Sequence, residues 1–189
     1  MKKLQLQTMI EVAIFAAFAM VLDLLPSIKF GPSISISFAM VPIFIIAFRW
    51  GMIASTTSGF LWGVLQIVTG DAWILTPLQG FIEYFIAFSF IGVAGLFANK
   101  IQYYFAHSES RKAIFFVIIA TFIGGVARYF WHFLAGVIFF KEAAYKAGKA
   151  PVLFSLTANG TAFFFSSLAC AFILVLLTTT APRIITKKS

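Results

Sequence analysis

The chain has 189 residues, of which 61% are hydrophobic and only 11% charged, with a formal net charge of +8. Soluble domains carry about 25% charged residues, so water is excluded as the solvent for this surface. A bilayer core roughly 30 Å thick takes about 20 apolar residues per helical span, and the length holds about six spans with short connections.

The predicted fold is all-α, an integral membrane bundle of six transmembrane helices in which residues 1–189 form a single domain. Lys2 and Lys3 ahead of an apolar stretch resemble the start of a signal peptide, with Ala17 and Ala19 near a cleavage-like spacing. Because the rest of the chain is equally apolar, an uncleaved first span is expected instead. That span covers about Met9–Leu25 and stops at Pro26, and the second follows the Gly31-Pro32 turn over about Ile36–Phe48. The third covers about Met52–Thr69, closed by Gly70 and Asp71. The fourth starts at Pro77, a favoured first-turn position, and reaches about Ala98.

A polar, basic connection is expected over Asn99–Lys112, then a long fifth span over about Ala113–Phe140. The charged loop Lys141–Pro151 leads into the sixth, over about Val152–Thr180, and a basic tail follows. No repeat of fixed period is evident, and nothing alternates like a barrel strand.

With an even number of spans both termini share a side. Lys2, Lys3, Arg49, Lys100, Arg111, Lys112, Arg183, Lys187 and Lys188 fall on that side, and Lys29, Lys141, Lys146 and Lys149 on the other. The positive-inside rule then makes both termini cytoplasmic. The basic charge writes topology and does not indicate a nucleic-acid partner; the lipid bilayer is the expected surroundings. The single cysteine, Cys170, excludes an intrachain disulfide. The chain contains no phosphate-binding loop, no metal-ligand spacing and no nucleophile with an evident base, so neither an enzyme nor a cofactor is predicted.

Charged side chains at membrane depth cost roughly 2.5–3.5 kcal/mol on insertion scales, so each requires a reason. Glu83, Arg128 and His132 are the candidates. Counting residues at 1.5 Å each puts Glu83 about 9 Å below the outer end of its span and His132 about 12 Å below. Asn159 and Trp62 fall about 10 Å below the same surface. These four groups would form an outward-opening pocket if their faces converge, with Gln66, Gln79 and Gly136 one turn from members of the set. Tyr84, Trp73 and Trp131 supply aromatic surface nearby. A carboxylate among rings suits a flat organic cation, through Coulomb attraction and cation–π contact.

Structural alternatives stand beside each residue: Glu83 paired to Arg128, Trp73 as an interfacial anchor, His132 as a packed helix residue. For Arg128 a structural role is favoured, as a cation satisfying loop or helix-end carbonyls. Two strips of small residues, Ala13 and Ala17 with Ala16 beside them, and Gly59 and Gly63, allow close helix approach. Such strips ordinarily pack helices within one bundle.

The stretches Glu11-Val-Ala-Ile-Phe-Ala-Ala-Phe-Ala19, Phe60-Leu-Trp-Gly-Val-Leu-Gln66, Gln79-Gly-Phe-Ile-Glu-Tyr84, Arg128-Tyr-Phe-Trp-His-Phe-Leu-Ala-Gly136 and Ser155-Leu-Thr-Ala-Asn-Gly160, taken in order, resemble one family. It is that of the thiamine-specific substrate-binding (S) components of energy-coupling factor (ECF) vitamin transporters.

The resemblance implies a vitamin held near the outer side of a bacterial cell membrane protein, by Glu83, Tyr84, His132, Gly136 and Asn159. It implies that the Ala13 and Ala17 strip docks a membrane scaffold subunit, and that two ATPase subunits supply the energy. The chain departs where family members place a tryptophan and a carboxylate and it has Ser33 and Ser37. It departs again where they place a tryptophan and a tyrosine and it has Phe140 and Phe154, which keep aromatic area at the site. A vitamin-capture subunit for thiamine is therefore expected, with a stand-alone secondary transporter or an S component for a different vitamin as alternatives.

Overall fold

The computed structural model describes residues 5–24, 28–30 and 34–187. Helix α1 spans Leu6–Leu24 and is followed by a hairpin of β1 (Ile28–Phe30) and β2 (Ile34–Ile36). Helices α2 (Val41–Trp50), α3 (Met52–Val68) and α4 (Pro77–Ala106) follow, then α5 (Ser110–Phe139), the short α6 (Lys141–Lys146), α7 (Pro151–Thr180) and a 3-10 turn, Pro182–Ile184. Four of these, α1, α4, α5 and α7, are long and apolar enough to cross a membrane. Their exposed side chains include Phe18, Phe115, Phe130, Phe164 and Phe172, an exterior that suits hydrocarbon rather than water.

Local chemistry explains the element ends. Thr76 caps α4 by accepting a hydrogen bond from the Gln79 amide at 3.2 Å, and Pro77 fills a first-turn position where its missing N–H costs nothing. Gly51 takes φ 88° between α2 and α3, a left-handed conformation that lets the chain turn from one helix into the next without a loop. α2 has only 10 residues, about 15 Å at 1.5 Å each, too short to cross alone. All of Val41–Phe48 is buried, so α2 is a core helix around which the longer ones pack.

The two small-residue strips face opposite ways. A Cβ on Gly59 would lie 2.2 Å from the Phe88 carbonyl oxygen, and one on Gly63 1.8 Å from that of Tyr84, so backbone meets backbone between α3 and α4. The glycine strip is internal packing. On α1, Ala16 is buried against the core while Ala13 and Ala17 are exposed.

One end of the bundle is tied together by Arg49, which pairs with Glu11 at 2.9 Å and donates to the carbonyls of Arg183 and Ile184 at 3.0 and 3.2 Å. Trp50 Nε1 donates to Glu11 at 2.7 Å, and Gln102 donates to the Phe48 and Ile185 carbonyls. The start of α1 and the C-terminal segment therefore share an end, as an even number of passes requires.

Three expectations need correction. Ile36 lies in β2 rather than at the start of a helix, and α2 begins at Val41. The run Ser33-Ile-Ser-Ile-Ser37 alternates with the period of a strand, which accounts for β2. The supposed connection after Ala98 is helical as far as Ala106, because Ile101, fully buried, carries the apolar face of α4 past Asn99 and Lys100. The charged loop after α5 holds α6. Pro26 and Ser33 lie outside the described residues.

Candidate functional site

At the opposite end from Arg49, a cavity of about 420 Å³ lies between the start of α4, the second half of α5 and the first turns of α7. Small-molecule sites run from about 300 to 1,000 Å³. Its wall contains Trp73, Glu83, His132, Gly136, Phe140, Phe154, Ser155 and Asn159.

Glu83 sits in a π-helical stretch of α4, Phe81–Ile86, where the Ala87 amide reaches back to the Ile82 carbonyl. Such wide turns are frequent at functional sites. Gln79, one turn earlier, donates to Glu83 and to the Trp73 carbonyl at 3.2 Å, and its own carbonyl accepts from the Leu75 amide at 2.9 Å. A single buried amide thus joins the carboxylate to the loop ahead of α4. Across the cavity, His132 Nδ1 lies 3.7 Å from Glu83 Oε1, with the two side chains 16% and 15% exposed.

The α5–α7 side depends on Gly136. A Cβ there would lie 2.2 Å from Ser155 Oγ and 3.3 Å from the Asn159 amide nitrogen. That close approach lets Ser155 donate to the Phe133 carbonyl at 2.8 Å. Asn159 Nδ2 is held by Ser155 Oγ at 3.1 Å and by the Ser155 and His132 carbonyls. The Asn159 side-chain carbonyl oxygen accepts no hydrogen bond among the described residues.

Trp73 is 66% exposed and packs edge-on to Phe140, with ring centroids 5.6 Å apart. Tyr84 does not line the cavity. Its hydroxyl accepts from the Trp73 amide at 2.7 Å and so holds the loop that carries the tryptophan.

Trp62 does not line the cavity either. It is fully buried, its ring 4.3 Å from Phe88 and 4.8 Å from the Arg128 guanidinium. Counting depth along a helix says nothing about the angle around it, and Trp62 faces the core. Trp131 packs on Phe90 and Phe130 outside the cavity.

Among the described residues Arg128 neither pairs with Glu83 nor caps carbonyls, the role expected of it. It lies over the rings of Phe88, Trp62 and Tyr129, at 4.3, 4.8 and 5.5 Å, and donates to His132.

Asp23 was missed among the charges at depth. It accepts from Gln66 and from Ser37 Oγ, the latter at 3.2 Å, so Gln66 and Ser37 serve this carboxylate and not the cavity. An acidic residue three places before Pro26 in the run Ala-Met-Val-Leu-Asp-Leu-Leu-Pro was the available signal.

The fold and the cavity define a multi-pass membrane protein with a small-molecule site at one end of the bundle. Comparison with known proteins makes the class specific. Residues 9–186 match the family model described as thiamine transporter protein, and the chain belongs to that family.

It is 40% identical over 185 residues to the thiamine transporter ThiT of Bacillus subtilis, covering 96% of this chain and 95% of that protein. It is 36% identical over 187 residues to the ThiT of Lacticaseibacillus paracasei, covering 97% and 92%. The solved structure of ThiT from Listeria monocytogenes superposes with a TM-score of 0.92 at 41% identity, over 96% of this chain and 98% of that one. Membership places the chain among transporters, not enzymes.

Proposed function

We propose that the chain captures thiamine in this cavity as the substrate-binding component of an ATP-driven ECF importer. The observation that carries the reading is Glu83: a carboxylate in the cavity wall with no Lys or Arg within 4.0 Å among the described residues, bordered by Trp73, Phe140 and Phe154. An unpaired anion at membrane depth is costly, and a bound thiazolium cation would complete it.

Thiamine joins that cation to an aminopyrimidine, a flat ring with both donors and acceptors. The aromatic walls suit the two rings, and the free carbonyl of Asn159 suits an amino donor. Cation–π contact adds about 0.5–2 kcal/mol in such a setting. The similar proteins of Bacillus subtilis and Lacticaseibacillus paracasei are thiamine transporters, which supports the same ligand here.

In this reading both termini are cytoplasmic, which puts the Glu83 end of the bundle outside the cell. The exposed Ala13 and Ala17 form the face that docks a membrane scaffold subunit, beneath which two ATPase subunits supply energy that the chain has no means of generating.

Equilibrium binding of thiamine, riboflavin, biotin and folate to the detergent-purified chain, followed through tryptophan fluorescence, tests the substrate. Saturable binding of thiamine alone is expected. Tight binding of another of the four without thiamine would overturn the substrate while leaving the family intact. Uptake by the chain without ATPase partners would make it a stand-alone carrier.

A further inference from the structure

Arg128 lies one turn before His132 on α5, only 9% exposed. Its Nε donates to His132 Nε2 at 3.4 Å. A guanidinium has donors and no acceptor, so the nitrogen it faces must carry a lone pair. That requirement leaves the proton of the neutral imidazole on Nδ1. Nδ1 is the nitrogen turned to Glu83, 3.7 Å from Oε1. The proton donors therefore run in one direction, from Arg128 through His132 toward Glu83.

We propose that Arg128 is a positioning residue that fixes His132 as the neutral Nδ1–H tautomer, so that Glu83 faces the cavity as an uncompensated anion. The proposal rests on the reading of the cavity as a site for a cationic ligand. A doubly protonated His132 would put a second donor against the guanidinium and a cation beside Glu83, cancelling the charge that the ligand is to meet.

The other groups around His132 leave this arrangement intact. From α4 come Glu83 and the ring of Phe88; from α5, Arg128 and the ring of Tyr129; from α7, the Asn159 amide on the His132 carbonyl. Arg128 itself makes no ion pair with Glu83 within 4.0 Å and lies over three rings instead, so it does not pair the carboxylate directly.

The chain has two histidines. His107→Gln, at an exposed position, therefore leaves His132 as the single imidazole. Long-range 1H–15N correlation on this variant, labelled at histidine and free of ligand near neutral pH, reads the tautomer directly. A protonated Nδ1 and a lone pair on Nε2 are expected. In an Arg128→Met derivative the Nε2–H form should appear and the thiamine Kd should rise at least about threefold. Arg128→Lys, which keeps a donor, should preserve the Nδ1–H pattern.

An Nε2–H or doubly protonated ring in the Arg128-containing protein would overturn the proposal, whether or not the Met variant folds. An unchanged tautomer in a folded Met variant would overturn it too. Failure of thiamine to bind a protein that shows the Nδ1–H form would instead overturn the ligand and leave the tautomer assignment standing.

Discussion

Glu83 and His132 approach to 3.7 Å, one from a π-wound turn of α4 and the other from the second half of α5, and together they set the polar floor of the cavity. Each is steered by a residue one turn earlier on its own helix. Gln79 steers the carboxylate, Arg128 steers the imidazole, and the α3 glycines bring α4 close enough for the pair to form.

The contact between α5 and α7 predicts a sharp response at Gly136. A Cβ there meets Ser155 Oγ at 2.2 Å, Ser155 Cβ at 3.0 Å and the Asn159 amide nitrogen at 3.3 Å, so Gly136→Ala displaces the Ser155 hydroxyl and disturbs the placement of Asn159. Overpacking of this kind costs about 1–3 kcal/mol. A lower thermal midpoint and weaker thiamine binding are expected together. Adding Ser155→Ala removes the hydroxyl and should recover part of the stability, measured by thermal unfolding in detergent.

Two glycines, each in a helix interior, should behave oppositely. Gly63→Ala sets a methyl 1.8 Å from the Tyr84 carbonyl oxygen, whereas a Cβ on Gly160 meets nothing within 4 Å. The first should destabilise by about 1–3 kcal/mol because backbone cannot yield as a side-chain tip can. The second replaces glycine in a helix interior and should be neutral or stabilising by up to about 1 kcal/mol. Thermal unfolding of the two variants side by side checks both.

Bulky replacements at Ala13 and Ala17, such as a double change to Leu, should leave thiamine binding intact, since both residues are exposed on α1 and distant from the cavity. ATP-driven uptake in membranes holding the full transporter should fall to background if close helix approach to the scaffold runs through this face. Uptake at the unmodified rate would remove the docking role.

Much of this architecture was legible because membrane helices announce themselves by length and apolarity, and because Pro77, Gly70 and Pro151 mark their ends. The site was legible in depth but not in azimuth. Counting from helix ends brought Glu83, His132 and Asn159 to one level, and the same count placed Trp62 with them although it faces the core. The hairpin ahead of α2 was marked by the Ser-Ile alternation, a strand signal too short to stand out among the apolar spans. The π stretch around Glu83 left no mark in composition.

The anion in the cavity wall is tested by titrating thiamine and an uncharged analogue lacking the thiazolium cation against the unmodified chain and Glu83→Gln, read by tryptophan fluorescence. The substitution keeps shape and hydrogen bonding and removes the charge. If Glu83 is the counter-ion of the ligand, thiamine affinity falls by at least about tenfold, or about 1.4 kcal/mol, while the uncharged analogue loses much less. Equal losses for the two ligands would contradict the counter-ion role and leave Glu83 a structural residue.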